Sequence, residues 1–308
     1  MAGDPVGTTA AATPRAPGAP DLYRMPPRRA RSWRPRTVAV RAGMYAMAVV
    51  LAVFSVFPLV WMAITSIKPR SEILTAEPVF WPSAPVWSRY ADVIERGFAT
   101  ALVNSLVVTL STVALGLLVA VLAGYTLARF DLPFKRYLLM VVLATQMFPL
   151  VVLIIPLFIV MRRLDLLGSY TGLVISYLSF TTPLAVWILR GFFQSIPEDL
   201  EAAALVDGCT RFGAIRRVVL PLAGPGIAAC SIFTFISAWN EFLMALTFIQ
   251  DDNRYTLPVA LTSFAGRAAT DYGAIMAFSV LFTIPVVIFF LSVHRRLTGG
   301  MIAGAVKG

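Results

Sequence analysis

The chain has 308 residues, 58% hydrophobic and 14% charged, with a formal net charge of +10 and a mean hydropathy of +0.78. So apolar a composition excludes a soluble globular protein of this size, and the basic residues flank apolar runs instead of forming a nucleic-acid-binding motif. The cysteines, Cys209 and Cys230, make no CxxC pair or disulfide framework, which leaves zinc and redox chemistry without a basis.

Residues 1–42 are rich in Ala, Pro and Arg and poor in aliphatic clusters. Such a tail buries too little surface to offset its ordering entropy, and is expected to be disordered and cytoplasmic. The apolar run at 43–67 is long and is not followed by an obvious A-x-A cleavage site, so it reads as a retained membrane helix and not a signal peptide. Five more segments are long and apolar enough to cross a bilayer: 100–127, 137–161, 171–192, 222–249 and 272–293. The expected fold is an all-α polytopic membrane protein with a six-helix domain at 43–293, a core from about 98, and a short C-terminal tail at 294–308. Basic residues number eighteen in the two tails and loops 128–136 and 190–221, against eight in the alternate loops. That asymmetry predicts both termini and the 190–221 loop to be cytoplasmic.

The long outer loop 68–99 mixes Trp81, Trp87, Tyr90, Ile94 and Phe98 with acidic residues, and 87–98 has the spacing of a short helix lying along the membrane surface. Interfacial anchoring or reception of a solute-carrying partner both fit that pattern, and loop 250–271 is a second candidate for reception. Within the spans, Pro58, Pro149, Pro156, Pro183, Pro225 and Pro285 predict bends in all but the second helix, which has Gly116 and Gly124 instead. Intramembrane polar residues are scarcer, and Asn104, Gln146, Tyr177, Asn240 and Glu241 are candidates for a translocation pathway, with interhelical hydrogen bonding as the alternative. On a continuous fifth helix, Glu241 would stand roughly 24 Å from Pro225, near the outer headgroups.

The polar island 195–221 interrupts this apolar chain and must work outside hydrocarbon. Ser195 and Glu198 have capping-box spacing, Pro197 suits a first helical turn, and Gly208 after Asp207 marks a left-handed stop. A second amphipathic turn places Phe212, Ile215 and Val219 on one face before Leu220 and Pro221 end the unit. This run resembles the coupling loop of inner-membrane permeases of ATP-binding-cassette importers, whose signature is E-A-A, three residues, Gly, nine residues, Ile, one residue, Leu-Pro. Ala203, Ala204, Gly208, Val218, Leu220 and Pro221 fall in register, but Ala202 stands where the signature has Glu, and the acids lie at Glu198, Asp199 and Glu201. The resemblance implies that Glu198, Asp199, Glu201, Ala203, Ala204, Gly208, Leu220 and Pro221, with Asp207, Arg211 and Phe212, couple the chain to an ATPase.

Asn104-Ser105, the run from Ala238 to Phe242, and the ending from Gly300 to Gly308 further resemble the smaller permease of carbohydrate importers of the maltose type. The resemblance implies a second related permease, two ATPase subunits carrying ATP and Mg, and an extracytoplasmic solute-binding protein. It also implies that Gly304, Val306 and Lys307 contact the ATPases, and that a sugar of trehalose or maltose type, or glycerol 3-phosphate, is the solute. No metal or cofactor is expected on this chain, nor nucleic acid as a partner. Phosphate-cradling, metalloprotease and nucleophile-elbow motifs are all missing, so a transporter subunit is expected and not an enzyme. An ion-coupled secondary transporter would show deep carboxylates or an inverted repeat, and neither is evident.

Overall fold

The computed structural model describes the backbone of residues 35–264 and 270–304, and side chains of 39–264 and 270–296. Its helices are α1 (Pro35–Ser66), α2 (Arg70–Ile73), α3 (Ser88–Val93), α4 (Ala99–Arg129), α5 (Lys135–Thr145), α6 (Leu150–Arg163) and α7 (Tyr170–Ser195). Then follow α8 (Glu198–Val206), α9 (Arg211–Ala214), α10 (Leu220–Leu222), α11 (Gly224–Trp239), α12 (Leu243–Phe248), α13 (Leu257–Leu261) and α14 (Tyr272–Gly304). The expectation of disorder at 1–42 falls mostly outside the described residues, and 35–42 already belong to α1.

Packing divides the chain between residues 54 and 55. Of the first unit, the described part is the beginning of α1, apolar and exposed on every side. A helix of that kind is covered by lipid or by another chain.

The second unit is built on the pair α4 and α7. Gly116, Ala120 and Gly124 recur every fourth residue on one face of α4, and small residues let membrane helices approach closely. A Cβ built on Gly124 would stand 3.1 Å from the Arg190 backbone nitrogen and 3.2 Å from the Leu189 Cβ. Gly124→Ala is therefore expected to push the two helices apart, at a cost of about 1–3 kcal/mol measured as a lower melting temperature in detergent. Wild-type melting would show that the contact relaxes freely.

Among the described residues, four helices are long and apolar enough to be single spans: Ala39–Ser66, Ser88–Arg129, Tyr170–Ser195 and Tyr272–Arg296. The expected helix at 137–161 is broken, with α5 and α6 meeting at 101°. Pro149 supplies the reason: it has no N–H to donate, and it disfavours helical geometry at Phe148 before it. The expected helix at 222–249 also divides, because α11 stops at Trp239 and α12 begins at Leu243. A further 73° turn separates the α9–α10 segment from α11, beside Pro225. Pro58, Pro156, Pro183 and Pro285 lie inside unbroken helices, so a proline by itself does not locate a break.

Two ends of the bundle follow from contacts between loops. At one end, α3 is fastened to the chain after α1: Arg89 donates to the Ser66 and Lys68 carbonyls, and Lys68 Nζ sits 3.9 Å from the Trp61 ring centre. Residues 88–98 are helical, as their spacing predicts, with a kink at Gly97 (φ 98°) before α4. Arg254 joins the same end by donating to the Gly168 carbonyl at 2.7 Å. At the other end the 128–136 and 195–221 segments meet over an apolar cluster that includes Tyr125, Leu189, Phe193, Val219 and Ala223.

Candidate functional site

Pro197 caps α8 with an extended backbone, and the capping box does not form, since Ser195 donates to the Phe192 carbonyl instead. Pro197 thus precedes the first turn that it was expected to occupy. Three acids, Glu198, Asp199 and Glu201, fill that first turn, where the helix dipole favours negative charge. Gly208 takes the left-handed conformation foreseen for it (φ 85°), and Thr210 then starts α9 by accepting from the Gly213 amide at 3.1 Å.

The module is braced from inside. Tyr125 and Arg129, one helical turn apart near the end of α4, both donate to the Glu201 carboxylate, Arg129 through Nε at 3.2 Å. Arg129 also donates to the Ile196 carbonyl at 2.9 Å and lies 3.6 Å from Glu198. The Arg129 and Glu201 side chains are only 8% and 12% exposed, whereas Glu198 is 77% exposed. Charge-assisted bonds that are this well shielded resist screening. The Arg211 guanidinium covers the Phe130 ring at 5.4 Å, tying the second helix of the module to the same loop.

Ala204, Ala214 and Val219 are buried beneath the module. Ala202, Ala203 and Asp207 face outward. Glu201 is therefore turned inward, while Ala202, at the signature's Glu position, stands on the free surface. Phe212 does not share a buried face with Val219: it is 72% exposed, and Val206 is 87% exposed. Leu220 is half-buried and Pro221 exposed at the turn into α11.

The candidate pathway residues separate into two kinds. Asn104 is buried and fully engaged, donating to the Asn253 and Tyr255 carbonyls and accepting from the Tyr170 hydroxyl. Tyr177 and Glu241 meet inside the protein, where the carboxylate accepts from the Tyr177 hydroxyl at 2.8 Å and from the Met244 and Ala245 amides. Glu241 is enclosed by protein, two residues beyond the end of α11. Gln146 and Asn240 are exposed, one at each break in the spans. Gln146 donates to the Phe180 carbonyl and Tyr177 lies against the Phe180 ring, so both breaks converge on one turn of α7.

Gly304 ends α14, while Val306 and Lys307 lie outside the described residues. Among the described residues, no three His, Cys, Asp or Glu side chains gather as metal ligands would. The sequence singled out neither Tyr125 nor Arg129 as a site residue. Glu201 lies more than seventy positions further on, and no local spacing connects them.

A braced helical module between membrane spans is matched by a family model described as binding-protein-dependent transport system inner membrane component, over residues 115–302. The chain belongs to that family. This permease is 40% identical to the sulfoquinovosyl glycerol transport system permease of Agrobacterium fabrum, covering 86% of this chain and 93% of that one. It is 38% identical to the diacetylchitobiose uptake system permease DasC of Streptomyces coelicolor (85% and 95% covered) and 37% identical to the trehalose transport system permease of Mycobacterium tuberculosis (88% and 99%). Its fold is that of a chain in a bacterial ABC transporter that imports the polysaccharide alginate, with a TM-score of 0.72 at 22% identity over 85% of this permease and 98% of that chain.

Proposed function

We propose that this permease carries a neutral sugar, a disaccharide of trehalose or maltose type, inward across the membrane as one of two related permeases. Two ATPase subunits hydrolyse ATP with Mg on the cytoplasmic side, and a solute-binding protein delivers the sugar from outside. The 195–221 module docks on an ATPase, both termini are cytoplasmic, and Gly304, Val306 and Lys307 reach the ATPase pair. Family membership supports the importer role, and the diacetylchitobiose and trehalose named for two relatives support a neutral disaccharide, whereas the sulfoquinovosyl glycerol named for a third carries a sulfonate. So does the scarcity of cationic side chains inside the spans, which disfavours a phosphorylated solute. Gln146 and Asn240, exposed at the two breaks, are the pathway residues best placed to meet a sugar.

The observation that carries the proposal is the apolar surface of a module that stands outside the spans. Leu200, Val206 and Phe212 are exposed there, above a frame that Glu201 and Arg129 hold rigid. Water gives no reason to present Phe and Val on a braced scaffold, whereas a protein cleft does. Val206→Glu and Phe212→Glu, together, are expected to lower capture of the ATPase subunits by the tagged permease at least thirtyfold, the scale of one interface hot spot of about 2 kcal/mol. Membrane insertion should be unchanged. Undiminished capture by that variant would refute docking through this surface.

A further inference from the structure

A cleft of about 960 Å³ opens between α4, α11 and the late turns of α14, sharing its rim with the 216–222 segment. That volume lies near the top of the range of about 300–1,000 Å³ for small-ligand cavities. Val113 and Leu117 of α4, Ile227 of α11 and Phe289 of α14 make its throat apolar. Two cations, Arg216 and Arg296, stand at the rim, both exposed and neither paired with a carboxylate among the described residues. The step from Arg296 back to Phe289, and from Gly224 up to Ser231, is about 10 Å of helix on either wall. The cleft therefore grades from cationic to apolar over the distance separating a headgroup from the upper acyl chain.

We propose that this cleft binds an anionic phospholipid from the leaflet that borders the 195–221 module, with an acyl chain in the throat and the phosphate against Arg216 and Arg296. Basic clefts between membrane helices suit such headgroups, because the guanidinium supplies charge and paired donors to phosphate. A sugar fits poorly: among the described residues, the hydroxyls in the lining, Ser231 and Ser292, already donate to the carbonyls of Ala228 and of Ile288 and Phe289. A helix of a neighbouring permease fits poorly too, since it would seal two unpaired guanidinium groups away from water. A free phosphate would satisfy the rim but leave the apolar throat wet. The site does not depend on the identity of the solute, and lipid binding is read on the permease alone.

The test is retention of phosphatidylglycerol and of phosphatidylcholine by the purified full-length permease, read by mass spectrometry of the intact protein after delipidation and titration. Wild type should retain phosphatidylglycerol selectively. Arg216→Gln with Arg296→Gln should weaken it about thirtyfold, from two charges each at the usual membrane-surface value. Ser292→Trp, which fills the throat and leaves both charges, should also lose the lipid. Arg162→Gln with Arg163→Gln, the same charge change at the opposite end, should retain it. Equal retention of the two lipids by wild type, or undiminished phosphatidylglycerol binding in both cleft variants, would overturn the proposal. Binding of inorganic phosphate with the same affinity as the lipid would overturn it equally, since the throat would then contribute nothing.

Discussion

Glu201→Lys should reduce solute-stimulated ATP hydrolysis by the assembled transporter more than a hundredfold, while the permease still inserts into the membrane. The wild-type carboxylate accepts from the Tyr125 hydroxyl and the Arg129 Nε, in a position where neither ion is well solvated. A lysine there loses both bonds, each worth about 1.5–3 kcal/mol when one partner is charged, and sets an ammonium beside a guanidinium. The module would then leave the end of α4, so a push on its outer surface would no longer reach the spans. Glu201→Gln keeps an acceptor oxygen and should lose only about tenfold, the charge-assisted part of the interaction. The swapped pair Arg129→Glu with Glu201→Lys should recover only part of the activity, because Arg129 also donates to the Ile196 carbonyl. Turnover in proteoliposomes with binding protein and solute present is the measurement. Unlike Val206→Glu with Phe212→Glu, the Glu201 variant should still capture ATPase subunits. Stimulated turnover at the wild-type level in Glu201→Lys would remove the brace from the coupling route.

The apolar spans and the two-helix module were legible in the sequence because both rest on local signals. About twenty predominantly apolar residues in a stretch, a glycine after Asp207 and three acids opening a helix are signals carried by the local chain. The breaks were not legible to the same degree. Six prolines predict bends, yet the sharp ones fall beside Pro149 and Pro225, and a further interruption falls at Asn240, where no proline stands. Whether a proline breaks a membrane helix depends on what can satisfy the freed carbonyl, and that is a tertiary matter. The inward turn of Glu201 was hidden for a related reason. Its partners come from α4, and residue spacing in α8 says only that one position of shift rotates the side chain by about 100°. Asn104 shows the opposite ambiguity, since a polar residue opening a span reads equally well as pathway or as staple. Here it grips the 253–255 segment through both ends of its amide.

Glu241→Leu should destabilise the permease in detergent by about 3–5 kcal/mol, or roughly 10 °C in melting temperature. Three donors converge on that carboxyl group: the Tyr177 hydroxyl and the amides of Met244 and Ala245, which open α12. Leucine matches the bulk but accepts nothing, so two helix-start amides and a phenol would be left buried and unpaired. Tyr177→Phe removes only one donor and keeps the helix start satisfied, so it should cost about 1.5 kcal/mol, the low end for a bond with one charged partner. Glu241→Gln should fall between them, because its NH2 group brings a donor to a place ringed by donors. That ordering separates a structural cap from a pathway residue. If Glu241 acts mainly on the solute, Tyr177→Phe and Glu241→Leu should leave melting alone and change transport of one sugar against another. If it holds the break between α11 and α12 in shape, melting should follow the number of orphaned donors. A Glu241→Leu melt indistinguishable from wild type would show that the break is maintained by the surrounding cluster of Leu173, Met244 and Phe248, without the carboxylate.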